Sequence, residues 1–158
     1  MPFNTLMLDC LIHGTSFGES GSRVRVEPKP GETVLFFHMD DPRIRKKLKI
    51  DGKICDLLVF YAKGDKKVLC LTELKKGSKS EDANEQAVST YDSLKKVFKA
   101  YFSQIEWKGY IHLHGSAPGT KKSRKKGKQA KQKDSLKQKF KTKISQDPDM
   151  GKFLRNQT

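Results

Sequence analysis

The chain has 158 residues, with 33 Lys or Arg against 18 Asp or Glu, and a formal net charge of +15. This length allows one domain with a hydrophobic core and little more, and no segment is apolar over the roughly 20 residues that span a membrane. No membrane association is therefore expected. The positive charge favours nucleic acid or another polyanion as partner, although composition alone leaves a ribosome-associated basic protein open.

The charge is unevenly distributed along the chain. Residues 115–158 hold 14 Lys or Arg and 3 Asp or Glu, whereas residues 1–114 hold 19 and 15. We therefore expect a folded domain over residues 1–115 and a disordered, Lys-rich tail over residues 116–158. The three cysteines form neither a disulfide framework nor a metal-binding spacing, which favours an intracellular location: cytoplasmic or nucleoid-associated, or nuclear in a eukaryote.

The first 50 residues predict one helix, one strand and a basic connection. A helix is predicted over Thr5–His13, followed by a glycine-containing loop over residues 14–30 with at most a short strand at Arg23–Val26. The apolar run Thr33–Met39 predicts a buried strand. The basic stretch Arg43–Lys49 is either a solvated surface turn or an edge that contacts phosphates. In the second case the contacts would come from Arg43, Arg45, Lys46 and Lys47.

Two apolar segments with a tight turn between them predict a β-hairpin. The segments are Ile54–Ala62 and Lys67–Lys75, both rich in β-branched and aromatic residues, and Gly64-Asp65 is the turn.

The hairpin register brings two carboxylates together. If the turn has two residues, Lys63 pairs with Lys66 and Asp56 lies opposite Glu73, while Lys75 lies on the same face as Glu73 because side chains alternate along a strand. Facing carboxylates repel each other, and burying them among apolar residues is costly. A divalent metal ion would compensate both charges.

Beyond the hairpin the sequence predicts a long helix and another strand. Asp82 and Glu85 form a capping box for a helix that extends to about Phe102. Its apolar stripe consists of Ala83, Ala87, Tyr91, Leu94, Phe98 and Tyr101. Trp107–His114 predicts a strand that the helix connects to the hairpin, so part of the sheet is expected to be parallel.

The residues after Gly115–Gly119 are assigned to the tail. Residues 121–143 contain almost no apolar side chains, which favours disorder in the free protein. Nucleic-acid contacts are expected from Lys121, Lys122, Arg124, Lys125 and Lys126. Leu136, Phe140 and Ile144 either line a helix that forms on a partner or belong to a solubilising tail.

The combination of Asp56, a hairpin and Glu73-Leu74-Lys75 resembles the core motif of the PD-(D/E)XK nuclease superfamily. The resemblance covers roughly residues 33–114, and Cys55 stands where the motif usually has proline. It implies an α/β fold with a mixed central sheet flanked by helices, as in the restriction-endonuclease-like core. It also implies a nuclease that uses Mg²⁺ or Mn²⁺ to hydrolyse phosphodiester bonds.

The resemblance assigns roles to the residues of this motif. Asp56, Glu73 and Lys75 would be catalytic, and the metal would be held by Asp56, Glu73 and the backbone carbonyl of Leu74. Lys75 would position the attacking water and offset charge on the phosphorane.

Three further residues are weaker candidates. Gln86, with Tyr91 five residues later, resembles the Gln…Tyr element of the RecB-like branch, in which the spacing is four. Asp9 and Glu19 are candidates for the additional acidic ligand that this superfamily often takes from its first helix or the loop after it. Gln86 is equally compatible with an ordinary helix-surface glutamine, whereas for Asp9 and Glu19 an ordinary surface acid is the favoured interpretation.

The sequence leaves three functions open. The first is a nuclease that acts on DNA in preference to RNA, and double-strand cleavage would then require a homodimer or repeated encounters. The second is a non-catalytic nucleic-acid-binding module in which the acids and Lys75 form a structural ion-pair cluster. The third is an accessory subunit whose site is completed by a protein partner.

Overall fold

A computed structural model describes Asn4 and residues 9–77, 80–100, 102–115 and 139–157. The strands are β1 (Leu11–Ile12), β2 (Ser16–Glu19), β3 (Ser22–Arg25), β4 (Glu32–His38), β5 (Leu57–Lys63), β6 (Lys66–Lys76), β7 (Glu106–His114) and β8 (Lys141–Ser145). The helices are α1 (Pro42–Leu48), α2 (Ser80–Val97) and α3 (Gly151–Arg155), and Phe102–Gln104 forms a 3₁₀ turn.

One mixed sheet organises the fold. Its six strands lie in the order β1-β4-β5-β6-β7-β8, and β2 and β3 form a separate hairpin. β1, β4, β5 and β6 are antiparallel neighbours, whereas β7 runs parallel to β6 and β8 runs parallel to β7. The predicted α/β class with a mixed sheet is therefore confirmed, as is the parallel strand that follows the long helix.

The β5–β6 hairpin has the predicted register. Lys63 pairs with Lys66 and the ladder ends at the pair of Leu57 with Thr72, so Asp56 and Glu73 are the next residues of their segments beyond the last pair. Gly64 has a φ of +56°, the positive value that the first central residue of a two-residue hairpin turn favours and that costs glycine little.

Each face of the sheet buries its own apolar cluster. Helix α2 covers one face, and the residues of its predicted stripe that the structure describes are all buried: Ala83, Ala87, Tyr91, Leu94 and Phe98. The opposite face is covered by the β2–β3 hairpin through Val24 and Val26 and by α3 through Phe153 and Leu154. Because both faces are covered, β5 and β6 are apolar on both sides.

Two predictions for the N-terminal region are only partly correct. Asp9 is helical as predicted, but Leu11–Ile12 forms strand β1 against β4, while residues 5–8 of the predicted helix lie outside the described residues. The predicted loop contains the β2–β3 hairpin: β3 (Ser22–Arg25) overlaps the short strand predicted at Arg23–Val26, and the turn residues Ser20 and Gly21 have φ values of 52° and 79°. In both places a strand edge supplies hydrogen bonds that a local pattern does not reveal.

The two segments that flank the hairpin differ from their predictions. The basic stretch forms α1, because Asp41 caps its first turn by accepting a hydrogen bond from Arg43 N and Pro42 occupies the start. Helix α2 begins at Ser80, so Asp82 lies in its first turn and is not the cap, and it ends at Val97, before Phe102.

The C-terminal segment belongs to the folded domain. The prediction of a flexible tail is wrong for residues 139–157, which form β8 and α3, whereas residues 116–138 lie outside the described residues. Phe140 is buried against Tyr91 with ring centroids 5.1 Å apart, and Ile144 is an exposed residue of β8, so the two do not line a helix. Strand β8 lies at the edge of the sheet, and its lysines hide the apolar pattern by which a strand is recognised in a sequence.

Gly109 in β7 makes room for this segment. A Cβ atom at Gly109 would lie 2.7 Å from Thr142 Oγ1 and 2.8 Å from Phe140 Cε2. Two lysines of the sheet then hold the end of α3: Lys66 Nζ donates to Leu154 O at 2.9 Å and Lys108 Nζ donates to Phe153 O at 2.7 Å. These cations add donors to carbonyl groups at a helix end, where the regular helical N–H partners are missing.

Candidate active site

The three motif residues meet where β5 begins and β6 approaches its end. Asp56 directly precedes β5, and its backbone N donates to Glu73 Oε2 at 3.2 Å. In return Leu74 N donates to Asp56 Oδ2 at 2.9 Å, and Lys75 Nζ lies 2.8 Å from Glu73 Oε1. The structure therefore brings together Asp56, Glu73 and Lys75, which the register predicted to share one face.

The three side chains differ in exposure. The Glu73 side chain exposes 2% of its surface and Lys75 exposes 23%, while Asp56 is half-buried. Glu73 lies on the face that also carries Leu69 and Leu71, against helix α2. The site is thus a recess at the end of the sheet, with Glu73 at its base and Asp56 and Lys75 nearer the solvent.

Burial and nearby negative charges raise the pKa values of both carboxyl groups. Burial, and next the charge of Asp56, raise the pKa of Glu73 to about 7, although Lys75 acts in the opposite direction. Burial also raises the pKa of Asp56, and the charges of Glu19 and Asp40 add to this rise while the Leu74 N–H opposes it. A single lysine does not compensate this concentration of acidic charge, which favours an additional cation.

The available donors suit a hard divalent cation. The Leu74 N–H is directed toward Asp56, and in an extended strand the carbonyl of the same residue points to the same side. Two carboxylates and one carbonyl are oxygen ligands of the kind that Mg²⁺ prefers, and they leave positions for water and phosphate oxygens. Among the described residues no group of three or more His, Cys, Asp or Glu side chains could hold a metal ion, and this set has two carboxylates.

The three weaker candidates occupy different places. Glu19, at the end of β2, acts on Asp56 through its charge without completing a group of three ligands. Asp9 forms an ion pair with Lys47 of α1. Gln86 Nε2 donates to Ile54 O at 3.3 Å, and its Oε1 is buried without a hydrogen-bond partner. Gln86 therefore contacts the segment before Asp56.

Two residues near the site were not singled out from the sequence. Asp40 follows β4 and raises the pKa of Asp56, while its carboxylate bonds Arg45 at 2.9 Å. Thr90 of α2 accepts a hydrogen bond from Cys55 N at 2.8 Å. The sequence contains one signal for Thr90, because a threonine within the apolar stripe of a helix has a hydroxyl group that needs a buried partner. Asp40 carries no comparable signal.

The basic residues of α1 are largely neutralised by nearby acids. Arg43 pairs with Asp41 and Arg45 pairs with Asp40, both at 2.9 Å, and Lys47 forms an ion pair with Asp9. Within the described part of the chain, Lys46 is exposed and forms no ion pair. The predicted contacts Lys121, Lys122, Arg124, Lys125 and Lys126 lie outside the described residues.

Comparison with known proteins adds no relative. No family model, no curated protein and no solved structure matches this chain. In the described parts of the chain, no helix combines the length and apolar character needed to cross a membrane.

Proposed function

We propose that this protein is a metal-dependent nuclease with a restriction-endonuclease-like core, which hydrolyses phosphodiester bonds in DNA rather than RNA. The observation that carries the proposal is the pairing of Asp56 with buried Glu73, which is bordered by Lys75: Asp56 N donates to Glu73 Oε2, and the neighbouring Leu74 N donates to Asp56 Oδ2. A structural cluster would be expected to neutralise its acids, whereas the pKa of Glu73 stays raised, to about 7. The preference for DNA follows from the family resemblance.

Each residue has a defined role in the proposed reaction. Asp56, Glu73 and the Leu74 carbonyl would hold Mg²⁺ or Mn²⁺, which supplies polarisation of a phosphate oxygen and a water of lowered pKa. Glu73 keeps Lys75 Nζ at the edge of the recess through their 2.8 Å contact. From there the ammonium group orients the attacking water and offsets negative charge that develops on the phosphorane.

The charge of the chain supports a polyanionic substrate. The net charge of +15 attracts nucleic acid even though the recess itself is acidic. The ion pairs of α1 reduce its share of this attraction, so we assign the phosphate contacts to Lys46 and to the lysines and arginine at 121–126.

A cleavage assay tests the proposal. Labelled single- and double-stranded DNA and RNA are incubated with the protein in Mg²⁺, Mn²⁺ or EDTA. Asp56→Asn and Lys75→Ala are each expected to lower the rate by about 100-fold or more. The matched controls are Asp65→Asn in the exposed hairpin turn and Lys76→Ala, the exposed neighbour on β6, and both should retain the wild-type rate.

A second function is favoured by one feature of the site. Asp56 and Glu73 each accept a backbone N–H, an arrangement that also closes the end of a strand pair in a purely structural role. In a non-catalytic nucleic-acid-binding module, or in an accessory subunit awaiting a partner, the wild type would bind nucleic acid and cleave it under none of the metal conditions. That result would overturn the nuclease proposal.

A further inference from the structure

The segment that carries Asp56 is held by side chains of helix α2. Residues 54–56 precede the first paired residue of β5, so strand pairing does not hold the backbone of Ile54 and Cys55. Cys55 N donates to Thr90 Oγ1 at 2.8 Å, and Gln86 Nε2 donates to Ile54 O at 3.3 Å. Two side chains one helical turn apart therefore bind two consecutive residues of the segment.

Thr90 is suited to hold this segment in one position. Thr90 is fully buried, and its hydroxyl group donates a hydrogen bond to Gln86 O at 2.7 Å in the preceding turn of α2. A hydroxyl has one hydrogen to donate, so this bond orients a lone pair toward Cys55 N. Water can take over the hydrogen bond of Cys55 N only where the structure has room for it, and a fully buried position offers none. The Thr90 hydroxyl therefore fixes the distance between α2 and Cys55.

Movement of Cys55 would be transmitted to the carboxylate pair. The next residue, Asp56, makes two bonds that define the site: its N–H donates to Glu73 Oε2, and its Oδ2 accepts a hydrogen bond from Leu74 N. On its other side Met39 N donates to Asp56 O at 2.9 Å. Asp56 therefore lies between β4, β6 and α2. Its link to α2 runs through the preceding residue, Cys55, which is bonded to Thr90.

We propose that Thr90 is a positioning residue of this site, whose hydroxyl holds Asp56 opposite Glu73 through Cys55. The inference rests on the proposed nuclease function for its catalytic consequence. Displacement of a catalytic group by about 1 Å can cost about 100-fold in rate. Loss of the hydroxyl should therefore act on turnover rather than on the binding of nucleic acid.

Three variants separate positioning from general stability. Thr90→Val removes the hydroxyl and keeps the shape, and Thr90→Ser keeps the hydroxyl. Thr72→Val makes the same change at a buried threonine whose hydroxyl contacts Cys70 and Met150 on the other face of the sheet. We expect Thr90→Val to lower kcat about tenfold or more with KM within about twofold, and Thr90→Ser to recover kcat to within about threefold of wild type. Thr72→Val should leave kcat unchanged.

Amide hydrogen exchange tests the geometry independently of cleavage. The amides of Asp56 and Leu74 donate to the two carboxylates, so they should exchange faster in Thr90→Val and at the wild-type rate in Thr90→Ser. Wild-type kcat in Thr90→Val, equal losses of kcat in both Thr90 variants, or unchanged exchange in Thr90→Val would overturn the inference. If the wild type fails to cleave, the nuclease proposal fails, and exchange alone decides whether Thr90 positions Asp56.

Discussion

Two glutamates of the sheet, Glu32 and Glu73, are both buried beside a cation, and their pKa values move in opposite directions. Glu32 exposes none of its side chain and accepts hydrogen bonds from Arg155 Nε at 2.8 Å, Arg155 Nη2 at 2.7 Å and Tyr61 OH at 3.0 Å. The bonds from Arg155, the largest cause, lower the pKa of Glu32 to about 2. Glu73 has Lys75 at 2.8 Å, yet burial and Asp56 raise its pKa to about 7.

The difference shows how structural and chemically poised acids are distinguished in one fold. Glu32 faces a planar guanidinium with two donors and has no acidic neighbour that opposes its ionisation, so it ties α3 to β4 as a stable ion pair. Glu73 faces a single ammonium group and a second carboxylate, and its charge stays under-compensated. Such an arrangement costs stability and is typical of a site that awaits a cation.

The largest expected effect comes from neutralising each glutamate in turn. Glu73→Gln should lower cleavage by about 100-fold or more and leave the melting temperature unchanged or higher, because it removes a repelled buried charge. Glu32→Gln should leave cleavage near wild type and lower the melting temperature by roughly 5 °C or more, because Arg155 keeps a buried charge without its counter-ion. Activity assays and thermal denaturation of both variants check this, and a common response of the two variants would contradict the comparison.

The next effect concerns the C-terminal segment, which carries Arg155. Gly109→Ala should destabilise the fold by about 1–3 kcal/mol, since the added Cβ would overlap Thr142 and the buried ring of Phe140. Urea denaturation measures the loss, and adding Thr142→Ala should recover part of it. A fully stable Gly109→Ala variant would show that β8 does not pack over β7 as described.

The pH dependence of stability should have two components of opposite sign. Glu32 has a pKa below its unfolded value of 4.5, so its contribution is lost as the pH falls from about 4.5 toward 2. Glu73 has a pKa above that value, so stability should decline as the pH rises from about 4.5 to 7, where the unfolded chain releases its proton first. Denaturation measured across pH should show that Glu32→Gln loses the decline in stability toward low pH and that Glu73→Gln loses the decline between pH 4.5 and 7. Parallel curves for wild type and Glu73→Gln between pH 4.5 and 7 would refute the raised pKa.

The smallest effect is expected on α1. Arg43→Ala should leave both the melting temperature and nucleic-acid affinity almost unchanged, because Arg43 is exposed and paired with Asp41. Lys46→Ala removes a cation that has no acidic partner in the described chain. It should weaken nucleic-acid binding modestly and lower the number of counterions released on binding by about one, as measured from the salt dependence of the affinity. Fluorescence anisotropy at several salt concentrations compares the two, and a larger loss for Arg43→Ala would show that its ion pair opens on binding.

The predictable parts of the fold were those with local determinants. The two-residue Gly64-Asp65 turn determines the β5–β6 register, and the helical period of Ala83, Ala87 and Leu94 identifies the buried face of α2. Strands β1 and β8 escaped prediction because each is short and its partner is distant in the chain. Gly109 was the one trace of β8, since a glycine inside a strand often marks the close approach of other residues.

The sequence by itself determined that Asp56, Glu73 and Lys75 share one end of a hairpin, because strand geometry and turn length are local properties. Only the tertiary structure decided which acids are satisfied and which are not. Glu32 meets Arg155 across 123 positions of the chain, and Cys55 meets Thr90 across 35. The pKa of a carboxyl group depends on its burial and on every nearby charge, and those neighbours are brought together only when the sheet, the helices and the C-terminal segment pack.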